Sequence, residues 1–311
     1  MITFVDPGAA TTNLGDLVIS QSVRENLIDP IKQTGEEVVT VPLHGELSRE
    51  HRLAIRSASE VLVCGTNLLS DHAYFRSPWH WKRDDIGLAR GKLTMFGVGW
   101  WQYQRAGIDV VSAHWMRSLQ ARRPWAVRDE YSALRLRRGG IDAVHLSCPT
   151  LWGVDLQRLP SPGGAVVVTL TDYNQDPLAD ERLIALLEAQ YDQISFWPQG
   201  PGDAAYLRSL RPGADILEPT LAAFDEALLE HDRTRYVGLR LHAGVRAMQL
   251  GRPSLPLSID NRAREISRSV GLVAPSRHDL KAVEAAILHQ SDKQLSLPTA
   301  AIKKWRELWL T

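Results

Sequence analysis

Short apolar β runs alternate with helical patterns along this chain, and that alternation limits the fold more than any other feature. Ala165-Val166-Val167-Val168-Thr169-Leu170 is the clearest run, dominated by β-branched residues. In the first half, strands are predicted near Ile2-Val5, Glu37-Val41, Val61-Cys64, Leu93-Val98, Trp125-Arg128 and Ala143-Leu146. Helical patterns lie between them, notably Asp16-Leu27 and Glu130-Arg138. In the second half, strands are predicted at Gln193-Trp197, Tyr236-Leu239 and Leu255-Ile259. Helices are predicted at Leu178-Gln190, Asp203-Leu210, Leu221-His231, His242-Leu250, Arg262-Val270, Asp279-His289 and Thr299-Leu310. Strands separated by helices read as parallel, with right-handed crossovers. The Pro- and Gly-rich segment Leu159-Pro160-Ser161-Pro162-Gly163-Gly164 reads as a linker. The expected class is therefore α/β, with two Rossmann-like domains at 1–158 and 164–311 and a cleft between them. In such sheets ligands bind beyond the carboxyl ends of the strands.

Composition excludes several classes. Hydrophobic residues make up 44% of the 311 and charged residues 23%, enough for a sizeable core. Lysine plus arginine and aspartate plus glutamate balance at 36 each, which argues against a nucleic-acid binder. Two cysteines, Cys64 and Cys148, are too few for a disulfide framework or a cysteine-based metal site. No apolar run approaches the roughly 18 to 20 residues of a membrane span. The N-terminal Met1-Ile2-Thr3-Phe4-Val5-Asp6 reads as a strand and not as a signal peptide. A cytoplasmic location is expected.

Five motifs stand at predicted strand ends. Asn13-Leu14-Gly15-Asp16 precedes the first helix, with Asp16 as its expected N-cap; it reads either as a ligand-facing loop or as a capped turn. Neither the dinucleotide fingerprint nor the P-loop is present. Cys64-Gly65-Thr66-Asn67-Leu68-Leu69-Ser70-Asp71 leads into an aromatic and basic stretch containing Tyr74, Phe75, Trp79 and Trp81. Together with Trp100, Trp101 and Tyr103, these rings suit stacking on sugar faces, or else a structured surface loop. Arg128-Asp129-Glu130 closes a strand and opens a helix, as an anion contact or a structural pair. Gly238-Leu239-Arg240-Leu241-His242 does the same, and an extended backbone would point Arg240 and His242 the same way. An arginine fork and an imidazole at a helix N-terminus make an anion site. Asp260-Asn261-Arg262 ends the last strand of the second half, as a site or a capped helix start.

Taken in order, these motifs resemble the polysaccharide pyruvyl transferase family. The resemblance rests on Asn13-x-Gly15-Asp16, Gly65-x-Asn67-Leu68-Leu69-Ser70-Asp71, Gly97-Val98-Gly99, Val127-Arg128-Asp129-Glu130-x-Ser132 and Cys148-Pro149-Thr150. Its most specific part is Gly238-Leu239-Arg240-Leu241-His242-Ala243 with Gly251-Arg252-Pro253 and Asp260-Asn261-Arg262. It covers about residues 10 to 275. The loop Thr169-Leu170-Thr171-Asp172-Tyr173-Asn174 departs from it, since the family often carries an arginine there.

The resemblance implies a fold similar to two-domain GT-B glycosyltransferases. It also implies transfer of a pyruvyl group from phosphoenolpyruvate to two hydroxyls of a sugar, in a polysaccharide or its lipid-linked precursor, as a cyclic ketal. No metal and no cofactor is implied. The first domain would take the acceptor and the second the donor. His242 is then the preferred general acid, Arg240 the cation at the reacting group, and Asp16 a candidate base beside Asp129, Glu130 and Asp172. Arg128, Asn13, Gly15, Asn67, Glu130, Trp100 and Asp260 would bind substrate.

Two rival readings share parts of this pattern. A nucleotide-sugar glycosyltransferase would have the same architecture and a diphosphate at Arg240. A glycan-binding protein without catalysis would need no activated donor. In the C-terminal helix, Ile302, Trp305 and Trp309 alternate with Lys303, Lys304 and Arg306. That pattern suits either packing on the core or peripheral contact at the inner face of a membrane.

Overall fold

In the computed structural model, which describes residues 1–156, 159, 163–289 and 294–310, the apolar runs become buried parallel strands. In the first half these are β1 (Ile2–Asp6), β2 (Val38–Pro42), β3 (Glu60–Cys64), β4 (Asn67–Leu69), β5 (Leu93–Trp100), β6 (Trp125–Val127) and β7 (Ala143–His145). The helices there are α1 (Leu14–Val23), α2 (Asp29–Gln33), α3 (Arg49–Ser57), α4 (Arg83–Gly87), α5 (Val110–Leu119) and α6 (Glu130–Arg138). A π-helical turn, Arg24–Ile28, joins α1 to α2. The sheet order is β2-β1-β3-β5-β6-β7, with β4 paired to the far end of β5.

Strand alternation divides this core between two faces. Val5, Val61, Val63, Met95 and Val98 pack on one side. Phe4, Leu62, Cys64 and Phe96 pack on the other. Every residue of β1, β3 and β5 is buried, as expected for central parallel strands covered on both faces. Cys64 and Cys148 are buried and free, and burial holds the Cys64 thiol well above its usual range, so it is an inert core residue.

The second half builds a four-stranded parallel sheet from β8 (Ala165–Thr169), β9 (Gln193–Phe196), β10 (Arg235–Gly238) and β11 (Ser254–Pro256), in the order β11-β10-β8-β9. Its helices are α7 (Pro177–Gln190), α8 (Asp203–Leu210), α9 (Leu221–Leu229), α10 (Leu241–Gln249), α11 (Asn261–Val270) and α12 (Leu280–Leu288). Val166, Val168 and Val237 face a cluster with α7, α8 and α12. Val167 and Tyr236 face Trp197, Phe224 and Ala243 on the other side.

The chain divides into two compact units. Unit 1 is Met1–Thr11, Ile19–Trp152 and Leu297–Thr311; unit 2 is Thr12–Val18 and Gly153–Ser296. Each is a parallel sheet flanked by helices, so the expected class of two Rossmann-like α/β domains is the one observed. Pro160, Ser161 and Pro162 of the predicted linker lie outside the described residues.

The last helix, α13 (Thr299–Leu310), belongs to unit 1. Trp305 stacks on Phe96 with ring centroids 5.0 Å apart, and its indole N–H donates to the Pro124 carbonyl at 3.0 Å. The Arg123 guanidinium lies 4.3 Å above the Trp309 ring and donates to the Leu308 carbonyl at 2.7 Å. Ile302, Trp305 and Trp309 are thus core residues, as in the packing alternative of the sequence reading. Among the described residues no helix is long and apolar enough to cross a membrane.

Candidate functional site

In unit 2 the chain leaves β8 for β9 on one side and returns to β10 on the other, so the loops after β8 and β10 part at the carboxyl edge. A doubly wound sheet opens its ligand crevice at such a reversal. Gly238 ends β10 there, and a Cβ on it would come within 3.0 Å of the backbone and hydroxyl of Thr169. The close approach permits a closed polar network. The Thr169 hydroxyl donates to the Tyr236 phenol oxygen at 2.6 Å and accepts from the Arg240 amide at 3.2 Å. The Tyr236 phenol donates onward to the Arg240 carbonyl at 2.7 Å. Burial, the largest influence on it, pushes that phenol well up, so it stays neutral and donating.

The network fixes the Arg240 backbone, and two carboxylates fix its side chain. Arg240 Nε donates to Asp203 at 3.0 Å, Nη2 also meets Asp203, and Nη2 reaches Asp172 Oδ1 at 3.3 Å. The guanidinium lies 5.0 Å from the Tyr173 ring centre. Asp203 also accepts the backbone N–H groups of Asp172, Gln199 and Gly200, at 3.0, 3.1 and 2.8 Å. The loop Gln199-Gly200-Pro201-Gly202 brings two glycines against the cluster. A Cβ on Gly200 would press on Arg240 Nη2, and one on Gly202 would press on the Asp172 carboxyl.

Two predicted motifs join this cluster. The Asn13 side chain accepts from Gln199 Nε2 at 2.8 Å and from the Gly15 amide at 3.3 Å, and the Leu14 amide donates to the Gln199 carbonyl at 3.1 Å. Helix α1 begins at Leu14, so Asn13 precedes it and Asp16 stands inside its first turn; the expected capping role of Asp16 is corrected. Asp260 caps α11 through the Ala263 amide at 3.2 Å, accepts from the Tyr173 phenol at 3.0 Å, and pairs with Arg262 at 3.3 Å. Burial pushes the Tyr173 phenol up to about 12. Burial also opposes the charge on Arg262, but Asp260, Tyr173 and Asp16 outweigh it and hold that guanidinium above its ordinary value.

His242 is the second residue of α10 and is buried. Arg240, with φ −99° and ψ 99°, is extended, but the helix starts immediately after it. The two side chains therefore do not share a strand face, which corrects the expected geometry. What they share is the N-terminus of α10. No side chain caps that terminus, whereas aspartate or threonine caps α5, α6, α7, α9, α11 and α12. Its first amide groups have no intrahelical acceptor.

The remaining predicted residues lie in unit 1. Arg128 ends β6 with 1% of its surface exposed. It contacts the Thr66 carbonyl at 3.4 Å, Asn67 Oδ1 at 2.5 Å and Asp129 at 3.3 Å. It is thus a buried organiser of the β4 loop and not an exposed anion contact. Asp129 caps α6 through the Ser132 amide at 2.7 Å. Glu130 is half exposed, pairing with Arg137 at 2.8 Å and His145 at 3.7 Å. Burial lowers His145 from its ordinary value, against the pull of Glu130 and Asp129.

Trp100 is fully buried, and its indole donates to Gln104 at 3.1 Å, so the expected stacking role is corrected. Trp79 and Trp81 are also buried, with their N–H groups on the Leu68 and Pro42 carbonyls. The aromatic rings that unit 1 does expose are Phe75, Trp101 and Tyr103.

Sequence reading missed the loop Gln199-Gly200-Pro201-Gly202-Asp203. Its signal was the Gly-Pro-Gly-Asp run between β9 and α8, in which Asp203 reads only as a helix start. Among the described residues no group of three or more His, Cys, Asp or Glu could hold a metal ion.

Solved structures similar to this chain share little sequence with it. UDP-GlcNAc 2-epimerase from Neisseria meningitidis, bound to UDP-GlcNAc, is 12% identical over 99% of this chain and 92% of that one, with a TM-score of 0.40. A glycosyltransferase involved in avilamycin A biosynthesis is 11% identical over 99% and 92%, with a TM-score of 0.38. The wall teichoic acid polymerase TagF is 12% identical over 99% and 82%, with a TM-score of 0.37. No curated protein matches the chain in sequence. The family model for polysaccharide pyruvyl transferase matches residues 13–261, a span that contains Asn13, Arg128, Arg240 and Asp260. The chain belongs to the polysaccharide pyruvyl transferase family.

Proposed function

We propose that this chain transfers a pyruvyl group from phosphoenolpyruvate to two hydroxyls of a sugar, forming a cyclic ketal in a polysaccharide or its lipid-linked precursor. The observation that carries this reading is the uncapped N-terminus of α10, bracketed by Arg240 and His242 at the reversal point of the unit 2 sheet. The amide groups of a helix N-terminus, its dipole and a guanidinium together suit a donor with a carboxylate and a phosphate.

In the proposed reaction His242 gives a proton to the methylene carbon of the enol, and positive charge develops at C2. One sugar hydroxyl adds to C2 and phosphate departs. The second hydroxyl then adds to the same carbon and closes the ketal. The two hydroxyl protons balance the one placed on carbon and the one leaving with phosphate or a base, for which Asp16 is the candidate. The amides of α10 and Arg240 hold the donor anion throughout. Asn13, Gly15 and Asp260 support that side through Gln199 and Tyr173. Unit 1 is assigned the acceptor, with Trp101 and Tyr103 as stacking surfaces. Glu130 and Asn67 are the polar contacts there, Asn67 being set by Arg128.

The test is mass spectrometry of candidate glycans incubated with phosphoenolpyruvate, with UDP- and GDP-sugars in parallel. The expected product gains one pyruvate ketal and releases phosphate. His242→Ala and Arg240→Ala should each lower the rate by about 100-fold or more, the scale of losing a general acid or a charge-stabilising group. Rates within a few-fold of wild type would refute the assigned roles, and glycosyl transfer from a nucleotide sugar would refute the reaction.

A further inference from the structure

Arg240 stands where an anion is to bind, yet two carboxylates already occupy it. Counting one charge each, the trio Arg240, Asp172 and Asp203 carries a net negative charge when both acids are ionised. The other charges around Asp172 give no relief: Tyr173 joins Asp260, which pairs with Arg262. A polyanion cannot settle on such a cluster unless one carboxylate is neutralised, because like charges at 3 to 4 Å repel strongly away from bulk water.

The geometry identifies which one gives way. The Asp203 side chain is 3% exposed, and its neighbours are donors: two guanidinium nitrogens and three backbone amides. It is the enclosed inner partner of the guanidinium. The Asp172 side chain is 34% exposed and meets the guanidinium once, at 3.3 Å. It is the weaker, outer partner.

We propose that Asp172 carries a proton when the site is filled, so that an anion binds at Arg240 together with one proton, while Asp203 is the permanent partner that positions the guanidinium. Burial first, then the hydrogen bond and charge of Asp203, raise the Asp172 carboxyl above the usual carboxylate range, and Arg240 only partly offsets them. A ligand anion would raise it further. The protonated carboxyl can then donate to Asp203 or to a ligand oxygen. That the anion is phosphoenolpyruvate rests on the function proposed above; the proton linkage itself does not.

Gly202 supplies a second handle. Its φ of −92° suits any residue, and the atoms nearest a Cβ there are Oδ2, Cγ and Cβ of Asp172, whose carboxyl can swing away. Gly202→Ala therefore evicts the carboxyl without deleting it, and Asp172→Asn removes its charge in place.

The experiment is calorimetric titration of the full chain with sulfate, which does not titrate near neutral pH, and separately with phosphoenolpyruvate. Runs at several pH values, in two buffers of different protonation enthalpy, count the protons taken up. Wild type should take up as much as one proton per sulfate, with affinity falling by up to about tenfold per pH unit above the Asp172 pKa. Both variants should lose this uptake and bind sulfate more tightly than wild type at alkaline pH. Binding without proton uptake, uptake that persists in Asp172→Asn, weaker sulfate binding by both variants, or no sulfate binding by wild type would each overturn the proposal. Linked sulfate binding without any phosphoenolpyruvate binding would support the linkage and sink the donor assignment.

Discussion

One methyl group added at Gly99 should disturb the centre of unit 1. It stands near the end of β5, and a Cβ there would meet Cζ, Nε and Nη2 of Arg128 all within 3.0 Å. Regaining ordinary contact at about 3.5 Å requires moving the guanidinium by roughly 1 Å. Arg128 has nowhere to go, being 1% exposed and tied to Thr66, Asn67 and Asp129. The contact to Asn67 is the strong one; those to Thr66 and Asp129 are long. Losing the strong contact and loosening the buried ion pair should cost about 3 kcal/mol, between a charge-assisted hydrogen bond and a broken buried pair.

The assay is urea unfolding of Gly99→Ala followed by tryptophan fluorescence. Of the ten tryptophans only Trp197 lies in unit 2, so the signal reports almost wholly on unit 1. With a slope of about 1.5 to 3 kcal/mol per molar urea, the midpoint should fall by roughly 1 to 2 M. The double variant Gly99→Ala with Arg128→Leu should be less destabilised than the sum of the singles, since the clash loses one partner. A midpoint shift below about 0.3 M, or strict additivity, would refute the steric account.

The other predictions concern the two sides of unit 1. Trp305→Ala removes the ring stacked on Phe96 and the bond to the Pro124 carbonyl; it should cost about 3 to 5 kcal/mol by the same unfolding assay, and a loss under 1 would show that α13 contributes little. His145 has its folded pKa lowered by burial, so the neutral ring is favoured in the native state. Its contribution is full above the unfolded pKa of about 6.5 and is lost as pH falls through the lower folded value. Wild type should therefore lose stability on acidification more steeply than His145→Gln over that window, and parallel curves would remove His145 from the pH response.

Local signals carried most of the fold. The β-branched run at Ala165–Thr169 and the aspartates that cap α6 and α11 were legible because strand pattern and capping depend on neighbours a few residues away. The site was less legible because its contacts are long-range. Asp203 meets Arg240 across 37 positions, and Gln199 meets Asn13 across 186. Trp100 and Trp101 are adjacent, yet one is fully buried and the other half exposed, a difference set by the side of the strand end on which each falls. Arg128 looked like an anion contact because sequence shows a charge and not its enclosure. Asn13 displaced Asp16 as the residue before α1 because its amide oxygen bonds both Gly15 and the distant Gln199.

The placement of α13 also bears on how the protein is made. One face of the unit 1 core, around Phe4, Ile19 and Phe96, is completed by Ile302, Trp305 and Trp309. A ribosome delivers those residues after every strand of both sheets, so unit 1 must wait, with that apolar surface uncovered, while nearly all of unit 2 is synthesised. Nascent chains halted before Thr299 should therefore bind chaperones that recognise apolar segments and be cut readily by proteases around β1 and β5. Release of the last helix, and not completion of either sheet, then sets the moment at which unit 1 becomes resistant.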